Sequence, residues 1–205
     1  MFLYKTFLLK QKGFFIFIRY EIFNACLGNI GPEYELTRHN IGFLIADRLA
    51  DLHKINFSLE RHAYYTLLKY KGKSIHIIKP TTYMNASGKA VAYWMQELSV
   101  PKENVLVVMD DIALPFGTLR MRGKGSSAGH NGLKSIEQFL NGQDYARLRF
   151  GIGSEFGKGQ QVDYVLGNFS KNEIDALPMH MDKAGEMIVS FCTAGLANTM
   201  TKYNS

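Results

Sequence analysis

The chain has 205 residues, 46% of them hydrophobic, with 14 Phe and 11 Tyr, which is enough apolar surface for one buried core and excludes a disordered or fibrous chain. Two cysteines, Cys26 and Cys192, are too few for a disulfide framework and lack the paired spacing of a zinc site, so a reducing cytoplasm is the expected setting. The net charge of +6 suits a soluble protein and leans towards a polyanionic partner without identifying one.

Residues 1–20 open with the apolar run Phe14-Phe15-Ile16-Phe17-Ile18, too short to span a membrane and flanked by Lys5, Lys10, Lys12 and Arg19. A lipoprotein signal ending at Cys26 is disfavoured because Arg19, Glu21 and Asn24 fall where its apolar core has to be continuous. Residues 1–20 therefore read as an amino-terminal extension and 21–205 as one folded domain.

Residues 22–27 read as a strand despite the polar Asn24, and 28–33 as a loop rich in glycine and proline. Ile41, Leu44, Ile45, Leu49 and Leu52 recur at spacings of three and four, with Asp47, Arg48 and Asp51 on the other face. This predicts an amphipathic helix over 41–52 with His39 and Asn40 at its entrance. Residues 63–69 and 74–78 flank Lys71-Gly72-Lys73 as a hairpin, and 86–98 follow as a helix.

Val105-Leu106-Val107-Val108-Met109 is the unbroken apolar run of a strand buried on both faces. It stops at Asp110-Asp111, and carboxylates at such a carboxyl edge are candidate site residues. Residues 118–122 alternate as a short strand, 124–130 form a small-residue loop, 132–140 a helix and 147–152 another strand. The glycine-rich stretch 154–161 reads as a mobile loop beside the site, 173–192 as a long helix and 194–203 as a last helical turn or two. The alternation predicts a single α/β domain, a mixed, mostly parallel twisted sheet with helices on both faces.

Gly125-Ser126-Ser127-Ala128-Gly129 satisfies the Gly-x-Ser-x-Gly elbow of serine hydrolases, and His180 follows in the order a triad requires. The strand before a true elbow is central and apolar, whereas Arg120-Met121-Arg122-Gly123-Lys124 is charged and suits an edge. A flexible loop is therefore the preferred reading, with a serine esterase as a minor alternative. Neither a phosphate loop nor a dinucleotide fingerprint is present, so no cofactor is indicated, and no metal ligand set is expected.

What remains is a set of polar residues at element ends: Asn29, His39, Asn85, Asp110 and Asn131. Each has an ordinary structural explanation, with Asn85 and Asn131 as helix N-caps and Asp110 solvating a strand end. Together they fit one mechanism, in which Asp110 accepts the Nδ1 proton of His39 and leaves the other ring nitrogen to activate water. Asparagine amides both donate and accept, so they suit an amide-rich, uncharged portion of a substrate. Arg120 and Arg122, then Arg147 and Arg149, alternate along two strands, so each pair shares a face, serving either as a solvated edge or as a phosphate contact.

Four stretches resemble bacterial-type peptidyl-tRNA hydrolase. Leu27-Gly28-Asn29-Ile30-Gly31-Pro32-Glu33-Tyr34 with Thr37-Arg38-His39-Asn40 is similar to its opening signature, and Lys79-Pro80-Thr81-Thr82-Tyr83-Met84-Asn85-Ala86-Ser87-Gly88 to its second motif. Asp110-Asp111-Ile112-Ala113-Leu114-Pro115 with Gly117 is similar to the third, and Gly129-His130-Asn131-Gly132-Leu133-Lys134 to the fourth. Cys26 stands where the family usually has glycine, and residues 1–20 have no counterpart.

The resemblance implies hydrolysis of the ester between a peptide and the ribose at the tRNA 3′ terminus, freeing tRNA from stalled or aborted translation in the cytoplasm. It implies His39 as base, Asp110 as its partner and Asn29 as the residue that senses the acylated amino group. Tyr34, Tyr83, Asn85 and Asn131 are implied contacts with peptide and acceptor end, and Arg122, Arg149 and Arg120 implied phosphate contacts. A monomer without cofactor, metal or membrane is expected, and the rival reading is an RNA-binding relative of the same fold that does not hydrolyse.

Overall fold

The computed structural model describes residues 10–11, 14–15 and 21–204. Most of the extension expected over 1–20, including Ile16-Phe17-Ile18 of its apolar run, lies outside the described residues. Within it, β1 (Lys10–Gln11) and β2 (Phe14–Phe15) pair antiparallel as a two-stranded ribbon.

The main body follows in the order β3 (Glu21–Cys26), α1 (Ile41–His53), β4 (Ser58–Glu60), β5 (Ala63–Tyr70), β6 (Lys73–Pro80) and α2 (Ser87–Glu97). Then come β7 (Val105–Asp111), β8 (Leu119–Arg122), α3 (Asn131–Leu140), β9 (Ala146–Gly151), α4 (Gln161–Leu166), α5 (Lys171–Ala194) and α6 (Leu196–Tyr203). One seven-stranded sheet has the order β4-β5-β6-β3-β7-β9-β8. Its central strands β6, β3, β7 and β9 pair parallel, and the outer junctions β4-β5, β5-β6 and β8-β9 are antiparallel. The sheet is mixed as expected, but only three of its six junctions are parallel, so it is not mostly parallel: the parallel part is confined to the middle.

Alternation along β3 and β7 sends successive side chains to opposite faces. On one face Leu106 and Val108 pack with Ile41, Ile45 and Leu49 of α1 and Met187, Ile188 and Phe191 of α5. On the other, Phe23, Ala25, Val105 and Val107 pack with Val91 and Trp94 of α2 and Ile136 of α3. Helices on both faces follow directly. Asn24, the polar residue inside β3, is fully buried; its amide donates to the His76 carbonyl at 3.2 Å and lies 3.8 Å from Cys192 Sγ. A buried amide with such partners costs far less than an orphaned one, which is how the strand tolerates it.

Parallel strands bring their carboxyl ends to one edge, and here α1 is drawn very close to that edge. Leu27 N donates to Val108 O at 2.9 Å, and Gly42, in the first turn of α1, lies over this bond. A Cβ at Gly42 would come within 2.8 Å of Leu27 N, Leu27 O and Val108 O. Only a residue without a side chain lets the helix approach so closely. Besides the β1-β2 ribbon, the edge strand β4 and the short helix α4 were not expected from sequence.

Candidate active site

The loop after β3 carries Asn29, and a 3-10 turn, Arg38–Asn40, leads into α1. Asn40 locks the two together: its Oδ1 accepts Asn29 N–H at 2.8 Å and its Nδ2 donates to Asn29 O at 3.0 Å. Asn29 Oδ1 in turn accepts Met84 N–H at 2.8 Å, so the amine of its amide is the group left to donate. His39, in the middle of the turn, is 8% exposed, and Asp110, near the end of β7, is 2% exposed.

Asp110 Oδ1 lies 2.8 Å from His39 Nδ1 and 3.0 Å from His130 Nε2, and the two imidazole centroids are 5.0 Å apart. The protons follow from the surroundings. His130 is the N-cap of α3, where its Nδ1 accepts from Gly132 N and Leu133 N at 3.1 and 3.3 Å. That nitrogen therefore carries no hydrogen, and Nε2–H is the group that donates to Asp110. His39 likewise donates Nδ1–H to the carboxylate, which leaves its Nε2 unprotonated and able to accept.

Burial alone would push the Asp110 carboxyl up, but the two imidazoles, through charge and hydrogen bonds, hold it well below the usual carboxylate range. Burial would pull His39 down, and the charge and hydrogen bond of Asp110 outweigh it, raising His39 above its ordinary 6.5. The pair is thus an ionised carboxylate steering a strengthened base. His39, Asp110 and His130 place their ligand-type atoms within 4.8 Å of one another, near enough to hold a metal ion. Both imidazole nitrogens on Asp110 are protonated donors in this arrangement, so an ion would have to displace two hydrogen bonds.

These groups line a cleft of about 380 Å³ together with Tyr83, Asn85 and Asn131. Met109 adds apolar surface from β7, Met84 from the turn before α2, and Val162, Val165 and Leu166 from α4. An apolar trough with a few convergent polar groups is the form of a small-ligand or peptide site. Tyr34 is not among the lining residues; its carbonyl accepts from Thr37 N–H and the Thr37 hydroxyl, supporting the turn. Neither Asn85 nor Asn131 caps a helix, because Ala86 and His130 hold those places, so both side chains are left for the cleft.

A second pocket of about 270 Å³ adjoins the first and is lined by Arg122, Lys124, Arg147 and Arg149. Register places Arg120 opposite Arg149 and Arg122 opposite Arg147 on the antiparallel pair β8-β9. Arg147 is engaged internally: it donates to Ser126 O and Gln143 O and lies over the Tyr145 ring. The edge position expected for Arg120-Met121-Arg122 holds, since β8 is the last strand of the sheet. Ser127 lies in the loop before α3, while His180 belongs to α5 on the opposite face and packs against Phe116 and Phe150, so the two form no catalytic pair.

Sequence reasoning did not single out His130, Asn40 or α4. Arg38, beside His39, secures the last of these: it donates to Asn168 O at 2.6 Å, pairs with Glu173 at 2.8 Å and lies 4.5 Å over the Tyr164 ring.

The family described as Peptidyl-tRNA hydrolase matches over residues 24–205. A peptidyl-tRNA hydrolase of Cytophaga hutchinsonii is 55% identical over 179 residues, spanning 87% of this chain and 95% of the relative. One of Bacteroides fragilis is 52% identical over 178 residues with the same coverage. The crystal structure of peptidyl-tRNA hydrolase from Acinetobacter baumannii superposes with a TM-score of 0.85 at 29% identity, covering 91% of this chain and 95% of that one.

Proposed function

The chain belongs to the peptidyl-tRNA hydrolase family and hydrolyses the ester of peptidyl-tRNA, and from that premise we propose that His39 is the general base of the reaction. His39 Nε2 removes a proton from water, and the resulting hydroxide attacks the ester carbonyl carbon. The tetrahedral intermediate collapses with cleavage of the bond to the ribose oxygen, and the proton held by His39 returns to that oxygen. The products are a peptide with a free carboxylate and a tRNA with a free terminal hydroxyl. An ester is a far better acyl donor than the peptide's own amides, so one positioned water and a polarised carbonyl suffice.

The observation that carries this reading is the 2.8 Å bond from His39 Nδ1 to a buried, ionised Asp110 at the base of the cleft. It fixes the tautomer and stabilises the imidazolium formed at each turnover. Asn29, with its oxygen engaged by Met84 N–H, offers its amine to a peptide carbonyl. Tyr83, Asn85 and Asn131 border the same cleft and are read as contacts with peptide and acceptor end. Arg122, Arg149 and Arg120 are read as phosphate contacts, and Tyr34 as support for the turn that holds His39. Residues 21–205 form the catalytic domain in this reading, which acts as a cytoplasmic monomer without a metal and returns tRNA from stalled translation to use. No described helix is long and apolar enough to cross a membrane.

Replacing His39 by Ala tests the assignment. Hydrolysis of an N-blocked aminoacyl-tRNA should fall about 10²–10⁴-fold, the usual contribution of a positioned base, with an unchanged unfolding transition. Turnover at the wild-type rate would remove His39 from the mechanism. An RNA-binding relative that does not hydrolyse is disfavoured by the complete His39-Asp110-His130 arrangement.

A further inference from the structure

Asp111 is the one acidic residue among those lining the basic pocket. It stands on β7 diagonally across from Arg149 on β9, and its Oδ2 accepts Arg149 Nε–H at 2.5 Å with the two side chains 12% and 25% exposed. Its other oxygen, Oδ1, accepts Ala113 N–H at 2.8 Å and so ties the turn that continues as Ile112 and Ala113 along the peptide cleft. Asp111 also follows Asp110 directly in the chain. One carboxylate thus touches both halves of the site: the cation read above as a phosphate contact, and the turn next to Asp110, the carboxylate that orients His39.

A carboxylate and a phosphate present the same planar pair of acceptors to a guanidinium. We propose that Asp111 is a built-in substitute for a substrate phosphate, which holds Arg149 in the unloaded enzyme and yields it when the tRNA docks. Arg147 has both terminal nitrogens of its guanidinium bound to backbone carbonyls, with its Nε buried and unpartnered, and Arg122 is exposed, so Arg149 is the arginine of this pocket whose carboxylate partner an incoming anion has to replace. A lone anion competes poorly with a neighbour already tethered to the chain. A phosphate held at the same time by the acceptor end in the cleft competes well, because its effective concentration is high. The carboxylate therefore biases the pocket against free phosphate and short nucleotides and in favour of a whole tRNA ester. The proposal rests on the reading of Arg149 as a phosphate contact.

The experiment compares an N-blocked aminoacyl-tRNA with the same N-blocked aminoacyl ester of adenosine, which has no phosphate. Asp111→Asn keeps an oxygen for Ala113 N–H and removes the charge. It should lower KM for the tRNA ester about three- to tenfold relative to the adenosine ester. Inorganic phosphate should inhibit it at correspondingly lower concentration. In Arg149→Gln the same Asp111→Asn change should bring no gain. Asp111→Ser, which also keeps an uncharged acceptor, gives the same reading if asparagine prevents folding. An unchanged or raised KM on the tRNA ester, or an equal change on both esters, would overturn the proposal and make Asp111 a support of the turn alone. Arg149→Gln by itself separates the two levels: no rise in KM for the tRNA ester means that Arg149 is not a phosphate contact at all. A rise there combined with no effect of Asp111→Asn removes only the substitution role.

Discussion

Asp110 Oδ1 receives two imidazole N–H groups, one from His39, the proposed base, and one from His130, whose other ring nitrogen is occupied as the helix cap. The consequence is an asymmetric pair of histidines, of which only His39 has a ring nitrogen left without a hydrogen bond, the one proposed to take the proton from water. Because its folded pKa lies above the ordinary 6.5 and the active form is the neutral one, kcat/KM should rise with pH through a midpoint above 6.5. Replacing Asp110 by Asn leaves burial, which lowers the His39 pKa, without the charge that raised it, so the midpoint should move to lower pH while the plateau rate drops. A pH–rate profile of the two proteins measures this, and a midpoint that stays in place would mean that Asp110 does not set the base. The same shifts carry opposite signs for stability. The Asp110 contribution is complete above its unfolded value of 3.8 and is lost as pH falls below it, whereas the His39 contribution is complete below 6.5 and fades as pH rises through its folded value.

Short elements, more than long ones, finish the site. α4 is six residues with no buried side chain of its own, and it is held by Arg38 through Asn168, Glu173 and Tyr164. Arg38→Ala should cost about 1.5–3 kcal/mol, the worth of hydrogen bonds to a charged group. The loss should appear first as faster amide exchange across residues 161–168, ahead of the rest of the molecule. Exchange that accelerates evenly everywhere would instead make Arg38 a general stabiliser. This helix was illegible in the sequence for a physical reason: Val162, Val165 and Leu166 recur at three and four but over only six residues, too short a run to register as an amphipathic stripe, and glycines flank the segment on both sides. The helix α1 and the strand β7 were legible because their apolar residues meet buried surfaces, with spacing of three and four in one case and an unbroken run in the other. His130 was passed over because the preferred N-cap residues are Ser, Thr, Asp and Asn, and Asn131 beside it is the better match to that rule.

At the scale of the molecule, the net charge of +6 has a located part: the arginines of β8 and β9 gather beside the cleft. If Arg120, Arg122 and Arg149 each engage a phosphate, kcat/KM on a tRNA ester at low substrate should fall with salt on a log–log slope of about −2 to −3. The adenosine ester, lacking phosphate, should show a slope near zero. Equal slopes for the two would place the charge outside recognition. Sequence alone could place these arginines on strands, yet which ones face the pocket without being tied to backbone carbonyls depended on cross-strand register and on the inward bonds of Arg147, and neither is a property of spacing. The close seat of α1 on the sheet edge, made possible by the missing side chain at Gly42, has a bearing on all of this. His39 lies three residues before that contact, and Asp110 two residues after Val108, so a single point of backbone crowding gauges the separation of the imidazole and its carboxylate. Adding one methyl group there would act as a wedge at the hinge of the reaction, widening the gap between two groups that it never touches.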